Sequence, residues 1–492
     1  MFTTIWFHLM DIWSFLMDNI FYLNMVFAVL IVFFERRDPK VVWTWLLVMY
    51  FIPILGFFLY LVIGQDMHKQ KMFKIKEIED ALNGAIKKQE DYIQQNRFKI
   101  DDNESRKYSD LVLFNLETSS AIYSDNNEVT VFNDGNEKFN DLIHEIRNAK
   151  KFIHIQYYII KTDELFEKIL DELIKKAKEG VEVRVLYDGM GGRNLKKKTV
   201  KKMKQNGIQT GIFFPAILGR LQPRFNYRNH RKIAVIDGKY AYVGGFNIGK
   251  EYIGKDKKFG YWRDTHLKIK GVAVLDLQIR FILDWNYATK ENLIKNEKYM
   301  QIDDAINTEG EVGIQIVSSG PDSTSQTIRD NYLRLINKAE KSIYIHTPYF
   351  IPDESVLTAL TIAAKSGIDV RLMIPCKPDH PFVYWSTHSF AGDLVMAGAR
   401  VFKYEDGFLH AKGIMIDGEV CSYGTANMDM RSFALNFEVN AVIYNSDVTE
   451  ELESQFLEDI DKCSELTKYD YVRRSMIIRI KEQVSRLLSP LL

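Results

Sequence analysis

The sequence predicts an α/β protein made of two tandem copies of one domain, preceded by an N-terminal pair of transmembrane helices. Three observations predict this fold class. A run of 23 uncharged residues extends from Val41 to Ile63. Further along, three sequence blocks recur in the same order. Within each copy an amphipathic helical pattern separates two short apolar segments, which is typical of strand–helix–strand units.

The first 65 residues are predicted to form a transmembrane hairpin. At about 1.5 Å per residue, segment 41–63 is long enough to cross a hydrocarbon core of about 30 Å. Residues 20–34 form the second predicted crossing, extended back through the preceding WSFLMDN. A secretory signal peptide is the alternative, but its basic n-region and small-residue cleavage site are missing. We therefore expect a multi-pass protein of the cell membrane, in an orientation that the flanking charges leave open.

A charged, largely helical connector is predicted at residues 66–110, before the repeated part. The first repeated block is KFIHIQYYII at 151–160 and KSIYIHTPYFI at 341–351. The second is GVEVRVLYDG at 180–189 and GIDVRLMIPC at 367–376. With the third block, the offsets are 190, 187 and 180, and a recurrence of this kind indicates a duplicated domain.

The two copies are placed at residues 111–305 and 306–492. Helices are predicted between the first two blocks of each copy, at LFEKILDELIKKAKEG and ESVLTALTIAAKSG. Each pattern ends in a glycine, which suits a helix C-terminus. Length and order then favour parallel strands with helices packed against them.

The third block is NHRKIAVIDG at 229–238 and LHAKGIMIDG at 409–418. Asp-Gly between apolar runs predicts a hairpin, and we expect a two-residue turn that pairs Ile236 with Lys239. Because side chains alternate along a strand, three polar residues of each copy are expected on one face. These residues are His230, Lys232 and Asn247 in the first copy and His410, Lys412 and Asn427 in the second. Asp237 and Asp417 fall in the turns, where their expected role is to stabilise the hairpin.

An imidazole, an ammonium group and a carboxamide on one face suit an anionic tetrahedral group, because lysine supplies charge and asparagine a directed donor. Small residues opposite, Gly244 and Gly245 in one copy and Gly424 and Thr425 in the other, are expected to leave room for it. No metal site is predicted, because a lysine cation repels a metal ion. A single such pattern also fits an ordinary hairpin with a surface histidine, but its recurrence in both copies favours a functional site.

The H-x-K-x-x-x-x-D pattern, with G-G or G-T and an asparagine downstream, resembles the phospholipase D superfamily over residues 115–460. More narrowly, VSSGPDS at 317–323 and GTANMDMRSFALNFEVN at 424–440 are similar to bacterial cardiolipin synthases. The resemblance implies two phospholipase D-type domains packed around one active site. It also implies transfer of a phosphatidyl group between two phosphatidylglycerol molecules through a phosphohistidine, giving cardiolipin and glycerol without a cofactor.

The resemblance also implies a role for each residue of the site. It places Asp237 and Asp417 in the catalytic set with the histidines and lysines, beside the turn role expected from the hairpin. It makes His230 the nucleophile and His410 the acid and base, while the lysines and Asn247 and Asn427 hold the phosphate oxygens. Each histidine also needs an acceptor for its other nitrogen, and Asp264 and Glu438 are the acidic residues offered downstream. For Asp264 the alternative is a surface ion pair with Arg263.

Three other functions stay open at this stage: a phospholipase D hydrolase with the same catalytic residues, a membrane-anchored nuclease and a non-catalytic scaffold. The formal net charge of +0 and the predicted hairpin disfavour a nucleic-acid partner, so phosphatidylglycerol, cardiolipin and the membrane are the expected partners. Oligomeric state is left open. Lys, His and Asn are intact in both copies, which disfavours a degenerate site.

The C-terminal segment YVRRSMIIRIKEQVSRLLSPLL is predicted to be an amphipathic helix. One stripe carries its apolar residues, Val472, Met476, Ile480, Val484, Leu487 and Leu491. The basic residues lie mostly off that stripe. Two interpretations are equally open: a helix that lies in the interface of an anionic membrane, or a helix that caps the core.

Overall fold

The structure is a computed structural model. It describes residues 19, 22, 25, 26, 29, 39–52, 56, 106–215, 226–293, 296–299, 310–323 and 325–489. The chain divides into two compact units, one of residues 1–74 and 216–226 and one of residues 75–215 and 227–492. Both predicted copies lie in the second unit, apart from residues 216–226 of the first copy.

In the first unit the structure describes helix α1 (Pro39–Phe51), which covers the start of the predicted crossing at 41–63. The rest of that segment is described only at residues 52 and 56, and most of the predicted crossing at 20–34 and the connector at 66–105 lie outside the described residues. Among the residues that are described, no helix combines the length and apolar character that a bilayer crossing requires.

The second unit begins with the elements of the first copy. Its helices are α2 (Ser109–Ser119), α3 (Gly135–Asn148), α4 (Glu164–Lys178), α5 (Lys197–Gln205) and α6 (Val274–Thr289). Its strands are β1 (Tyr123–Ser124), β2 (Asn127–Phe132), β3 (Phe152–Tyr157), β4 (Glu182–Asp188), β5 (Gln209–Phe213), β6 (Arg228–Asn229), β7 (Ile233–Ile236), β8 (Tyr240–Gly244), β9 (Trp262–Arg263) and β10 (His266–Gly271).

The second copy continues both series. Its helices are α7 (Thr327–Lys338), α8 (Glu354–Lys365), α9 (Pro381–Ala397), α10 (Met430–Ala434), α11 (Ser446–Ile460), α12 (Lys468–Arg473) and α13 (Met476–Leu487). Its strands are β11 (Gly313–Ser319), β12 (Ser342–His346), β13 (Phe350–Ile351), β14 (Asp369–Pro375), β15 (Arg400–Tyr404), β16 (Phe408–Leu409), β17 (Gly413–Ile416), β18 (Val420–Gly424), β19 (Met428–Asp429), β20 (Asn436–Tyr444) and β21 (Cys463–Glu465).

The two sheets repeat one topology, which confirms the predicted α/β fold and its duplication. The first sheet has the order β2-β10-β8-β7-β3-β4-β5. The second has the order β1-β11-β20-β18-β17-β12-β14-β15-β21, in which β11 to β15 take the places of β2 to β5. Strand β1 pairs with β11, so residues 123–124 complete the second sheet although the prediction assigned them to the first copy.

The helices predicted between the first two blocks form as α4 and α8. Asp163 begins α4 by accepting hydrogen bonds from the amides of Leu165 and Phe166, and Asp353 begins α8 by accepting one from Val356. The glycines that follow, Gly180 and Gly367, have φ of +90° and +93°, a left-handed conformation that glycine adopts without strain. The apolar faces of these helices pack into separate buried clusters, one for each copy.

The hairpin of the third block differs from the prediction by one residue. Lys239 N donates to Ile236 O at 3.0 Å, as expected for an Asp-Gly turn with positive φ at Asp237. Ile236 nevertheless pairs with Tyr240 rather than with Lys239, and the second copy repeats this register. One extra residue therefore stands beside each turn, as in a β-bulge, and Val243 lies opposite Ile233 instead of Lys232.

The side chains of Asp237 and Asp417 fasten these turns to the next strand of the sheet. Asp237 accepts hydrogen bonds from the amides of Lys150, Lys151 and Phe152 at 2.7, 2.7 and 2.9 Å. Asp417 accepts the equivalent bonds from residues 340–342 at 2.7 to 2.8 Å. Each carboxylate accepts hydrogen bonds from three amides. This explains why aspartate occupies the turn position in both copies, where another turn-forming residue could not accept all three.

We expect Asp237→Asn to destabilise the fold by about 1–3 kcal/mol, because an asparagine NH₂ would face an amide N–H where a carboxylate oxygen accepts. Thermal unfolding should show the loss, and Asp171→Asn on the exposed surface of α4 should show none. Enzymatic activity per folded molecule should stay well above that of His230→Ala. An equal loss of activity in a variant of unchanged stability would contradict a role confined to the turn.

Candidate active site

The backbone at each of the two histidines pairs with a segment of the opposite copy. Strand β6, just before His230, runs parallel to the start of β20, and His230 N donates to Phe437 O at 2.9 Å. Strand β16, just before His410, runs parallel to β9, and His410 N donates to Arg263 O at 2.7 Å. The backbone therefore places His230 beside the strand that contains Glu438, and His410 beside the strand that Asp264 directly follows.

Each imidazole is hydrogen-bonded to the carboxylate of the other copy. His230 Nδ1 lies 2.9 and 3.0 Å from the two carboxylate oxygens of Glu438. His410 Nδ1 lies 2.6 Å from Asp264 Oδ2. Both carboxylates are fully buried, so Asp264 is not part of a surface ion pair, and Arg263 instead binds Asp459 at 2.6 Å. An ionised carboxylate only accepts, so the proton is on Nδ1 and Nε2 is free to react.

The residues expected to leave room for a ligand instead make room for these acids. A Cβ at Gly245 would overlap the Asp264 carboxylate. The equivalent residue in the second copy, Thr425, donates its hydroxyl to Glu438 Oε2 at 2.6 Å. Gly245 thus leaves space for the Asp264 carboxylate, and Thr425 hydrogen-bonds the longer side chain of Glu438. Contrary to the expectation, neither position provides open space for substrate.

The two lysines are buried beside the imidazoles. Lys232 Nζ donates to the carbonyl of His230 at 2.6 Å, and Lys412 Nζ donates to the carbonyl of His410. Burial lowers the pKa of Lys232 to about 7, while Glu438 opposes the shift and Lys412 adds to it. Burial likewise lowers the pKa of Lys412 to about 8, against the pull of Asp264. Because Lys412 lowers the pKa of Lys232, the two ammonium groups lie within electrostatic reach of each other, and such a pair favours a nearby anion.

The same charges keep the imidazoles neutral and the carboxylates ionised. Burial lowers the pKa of His230, against Glu438, and Lys412 of the other copy lowers it further. Burial and Lys412, 2.7 Å from Nδ1, lower the pKa of His410 to about 4. Burial raises the pKa of Asp264, but Lys412 and His410 outweigh it and hold that pKa below its usual value. Glu438 is held ionised in the same way, by His230 and Lys232.

Both asparagines already have protein partners. Asn247 Oδ1 accepts from Ile159 N at 3.0 Å and its Nδ2 donates to Tyr252 OH at 3.2 Å. Asn427 Nδ2 donates to Asp429 Oδ2 at 3.1 Å. These contacts fix the two carboxamides, and their role in holding a phosphate stays a prediction.

Asp237 and Asp417 are the predicted site residues that the structure does not bring into this cluster. Both stand at the far end of the hairpin strand from the histidine and lysine of their copy, and their hydrogen bonds go to main-chain amides. These hydrogen bonds support the role in the turn, and the catalytic role that the resemblance implies stays a prediction.

Several residues at the site were missed from the sequence. The ring of Tyr158 meets that of His230 edge-on at 5.0 Å, and Trp262 lies 5.1 Å from His410. Arg231 forms a buried ion pair with Asp284 at 2.7 Å and donates to Glu438 O, so it braces the strand of that acid. The position of Tyr158 at the end of the first repeated block was the available signal.

Within the part of the chain that the structure describes, no three His, Cys, Asp or Glu side chains converge as metal ligands. The expectation of a metal-free site stays a prediction from the lysines. The cluster contains two unprotonated Nε2 atoms and two lysine side chains. The histidine side chains are partly accessible, with 12% of His230 and 10% of His410 exposed. Such a cluster suits nucleophilic attack on a phosphodiester with acid–base assistance.

Comparisons with known proteins agree with this chemistry. The family described as cardiolipin synthase, PLD-like domain, matches residues 142–259 and 332–460. A second family, described as phospholipase D-nuclease N-terminal, matches residues 23–65. A cardiolipin synthase of Oceanobacillus iheyensis is 49% identical over 98% of this chain and 100% of its own length. Cardiolipin synthase 2 of Staphylococcus epidermidis is 48% identical over 97% of this chain and 98% of its own.

The fold also resembles a solved structure of phosphatidylserine synthase from Haemophilus influenzae. The TM-score is 0.60 at 16% identity, over 80% of this chain and 100% of the other. At this identity the likeness concerns the fold alone.

We expect sulfate, a tetrahedral dianion throughout the neutral range, to bind this site more weakly as pH rises from 6 to 9. The lysines are charged below their pKa values of about 7 and about 8 and lose charge as pH rises through them. Calorimetry should show the dissociation constant rise by about tenfold per pH unit for each discharged lysine.

Lys232→Gln and Lys412→Gln should each weaken sulfate binding at pH 6 and flatten its pH dependence, whereas Lys365→Gln on the surface of α8 should do neither. Binding that does not change with pH in the unmodified protein would contradict the lowered lysine pKa values.

Proposed function

This chain belongs to the cardiolipin synthase family with phospholipase D-like domains, and we propose that it joins two phosphatidylglycerol molecules through a phosphohistidine, releasing glycerol. It is a phosphatidyltransferase that acts on phospholipids. The observation that carries the proposed mechanism is the crossed pairing of His230 with Glu438 and of His410 with Asp264, which joins the two imidazoles into one charged cluster.

In the first step, His230 Nε2 attacks the phosphorus of the donor lipid. A P–N bond forms, the P–O bond to the terminal glycerol breaks, and His410 gives its Nε2 proton to the departing oxygen. In the free site the pKa of His410 is about 4, so the imidazole is neutral there. The bound phosphodiester adds a negative charge beside it, which raises this pKa and provides the acid.

In the second step, the roles reverse. His410, now neutral, takes the proton of the terminal hydroxyl of a second phosphatidylglycerol. The resulting oxygen attacks phosphorus, the P–N bond breaks, and cardiolipin leaves with both histidines returned to their first state. Lys232 and Lys412 stabilise the additional negative charge on the non-bridging oxygens in both transition states, and we assign Asn247 and Asn427 a supporting part. One phosphodiester replaces another, so no nucleotide is required.

We propose that the reaction takes place at the cell membrane, on a multi-pass anchor formed by the hairpin of residues 1–65. The uncharged run 41–63 supports this anchor, and the N-terminal family match spans the same segment. An anchor concentrates both lipids in two dimensions, which favours a lipid alcohol over water as the acceptor.

The second candidate is a phospholipase D hydrolase, because water can attack the same phosphohistidine. The purified protein, incubated with phosphatidylglycerol labelled in its headgroup and without nucleotide, is expected to give cardiolipin and glycerol in equal amounts. Phosphatidic acid as the main product would establish the hydrolase instead, and no turnover would refute both.

We expect His230→Ala and His410→Ala each to lower turnover by at least about a thousandfold, and the double variant to be scarcely worse, because the two act as one unit. His144→Ala, at an exposed histidine of α3, is the control. Losses that add in the double variant would contradict a shared site.

A donor with a leaving group that needs no proton, such as a nitrophenyl phosphatidyl ester, separates the two roles. With it, His410→Ala should accumulate acid-labile label on the peptide that contains His230, while His230→Ala should accumulate none. Label on the peptide of His410 would reverse the assignment of nucleophile and acid.

A further inference from the structure

Helix α13 is packed with its polar side inward. Glu482 and Ser485 are buried at 2% and 1% exposure. Five of its large apolar side chains, by contrast, are between 47% and 81% exposed. They are Met476, Ile477, Ile480, Val484 and Leu487. The predicted apolar stripe therefore exists, apart from Leu491, which lies outside the described residues, but it does not cap the core.

Polar contacts hold α13 in this orientation against α9. Glu482 accepts from Arg474 at 2.6 Å, and Arg486 binds Asp393 of α9 at 2.6 Å. Beyond the helix, Ser489 is hydrogen-bonded to Ser386 of α9 at 3.2 Å. These bonds leave the apolar stripe facing away from the protein. An amphipathic helix in water normally buries that stripe, so its exposure on a fastened helix indicates a surface that is covered in the working protein.

The charges around the stripe are of one sign. Arg479 and Lys481 of α13 and Arg473 just before it are exposed, whereas the single acidic residue of the helix, Glu482, is buried against Arg474. An apolar face bordered by basic residues is the pattern of helices that lie in the interface of an anionic bilayer. At the start of α9, Lys481 lies 4.9 Å from the ring of Trp385, and Phe382, three residues earlier in the same helix, is 52% exposed.

Helix α9 also connects this surface with the candidate site. Asp379, two residues before α9, accepts a hydrogen bond from the hydroxyl of Tyr349. The same carboxylate raises the pKa of Lys412, which places it within electrostatic reach of the catalytic cluster. Helix α9 therefore runs from a residue within electrostatic reach of Lys412 to the contacts that Ser386 and Asp393 make with α13 and the residues after it.

We propose that the exposed face of α13, with Phe382 of α9, binds the surface of an anionic phospholipid bilayer and places the catalytic cluster at the lipid headgroups. The choice of assay rests on the proposed function, since the face is tested through delivery of phosphatidylglycerol. A second copy of this chain is the other occupant of suitable chemistry, and the basic border disfavours it because two such faces would repel each other.

The test uses the full chain in nanodiscs and two forms of phosphatidylglycerol. One is long-chain lipid within the disc, and the other is a short-chain form below its micelle concentration, which reaches the site from water. We expect Ile480→Glu to lower the rate on disc lipid by at least about fivefold and to leave the short-chain rate within about twofold. Ile480→Leu should restore the rate, and Leu457→Glu, at an exposed apolar residue of α11, should change neither.

Each other outcome overturns the inference in a distinguishable way. Equal rates for Ile480→Glu and the unmodified chain on disc lipid would show that the face does not contact lipid. Parallel loss on both substrates would show that α13 shapes the site itself. A change from dimer to monomer with unchanged disc activity would assign the face to self-association. Failure of the unmodified chain on both substrates would instead refute the proposed function.

Discussion

Two hydrogen bonds between a buried carboxylate and an imidazole, each joining one copy of the domain to the other, are the constraint on which the site depends. Because Glu438 orients His230 and Asp264 orients His410, neither copy can position its own histidine. The short parallel pairings of β6 with β20 and of β16 with β9 also join the two copies, through backbone hydrogen bonds. Duplication therefore does more here than double a motif, since each half completes the other.

The charges of the cluster follow from that arrangement. Both carboxylates of the cluster are hydrogen-bonded to imidazoles. Among the residues that the structure describes, neither lysine forms an ion pair with an acidic side chain, and burial lowers the pKa of Lys232 to about 7. A bound phosphodiester supplies the missing negative charge and restores the lysines to full ionisation. The free site thus lacks a negative charge paired directly with the lysines, which favours binding of an anion. The histidines stay neutral until that anion binds.

Local patterns in the sequence were sufficient for the repeated strand–helix–strand units and for the histidines and lysines of the cluster. The helices α4 and α8, the glycines that end them and the turns at Asp237 and Asp417 all follow from short-range chemistry. The register of the hairpins did not, because the extra residue at Lys239 follows an Asp-Gly turn that fits either register. Nor could the crossing of Asp264 and Glu438 be predicted, since it depends on how the two copies dock. The apolar stripe of α13 was predicted, but its direction was left open for a related reason: periodicity identifies an apolar face but not what covers it.

The two halves are equivalent in topology but not in chemistry, and the difference follows from one pair of positions. Gly245 leaves space for the Asp264 carboxylate, whereas Thr425 fills that space and supports the longer Glu438 through its hydroxyl. Lys412 approaches Nδ1 of His410 to 2.7 Å, while Lys232 bonds the carbonyl of His230. The cation beside Nδ1 makes His410 the imidazole that binds a proton less readily and releases it more readily. Ready release of a proton suits the acid of the first proposed step, so this asymmetry supports our proposal that His410 transfers the proton while His230 attacks phosphorus.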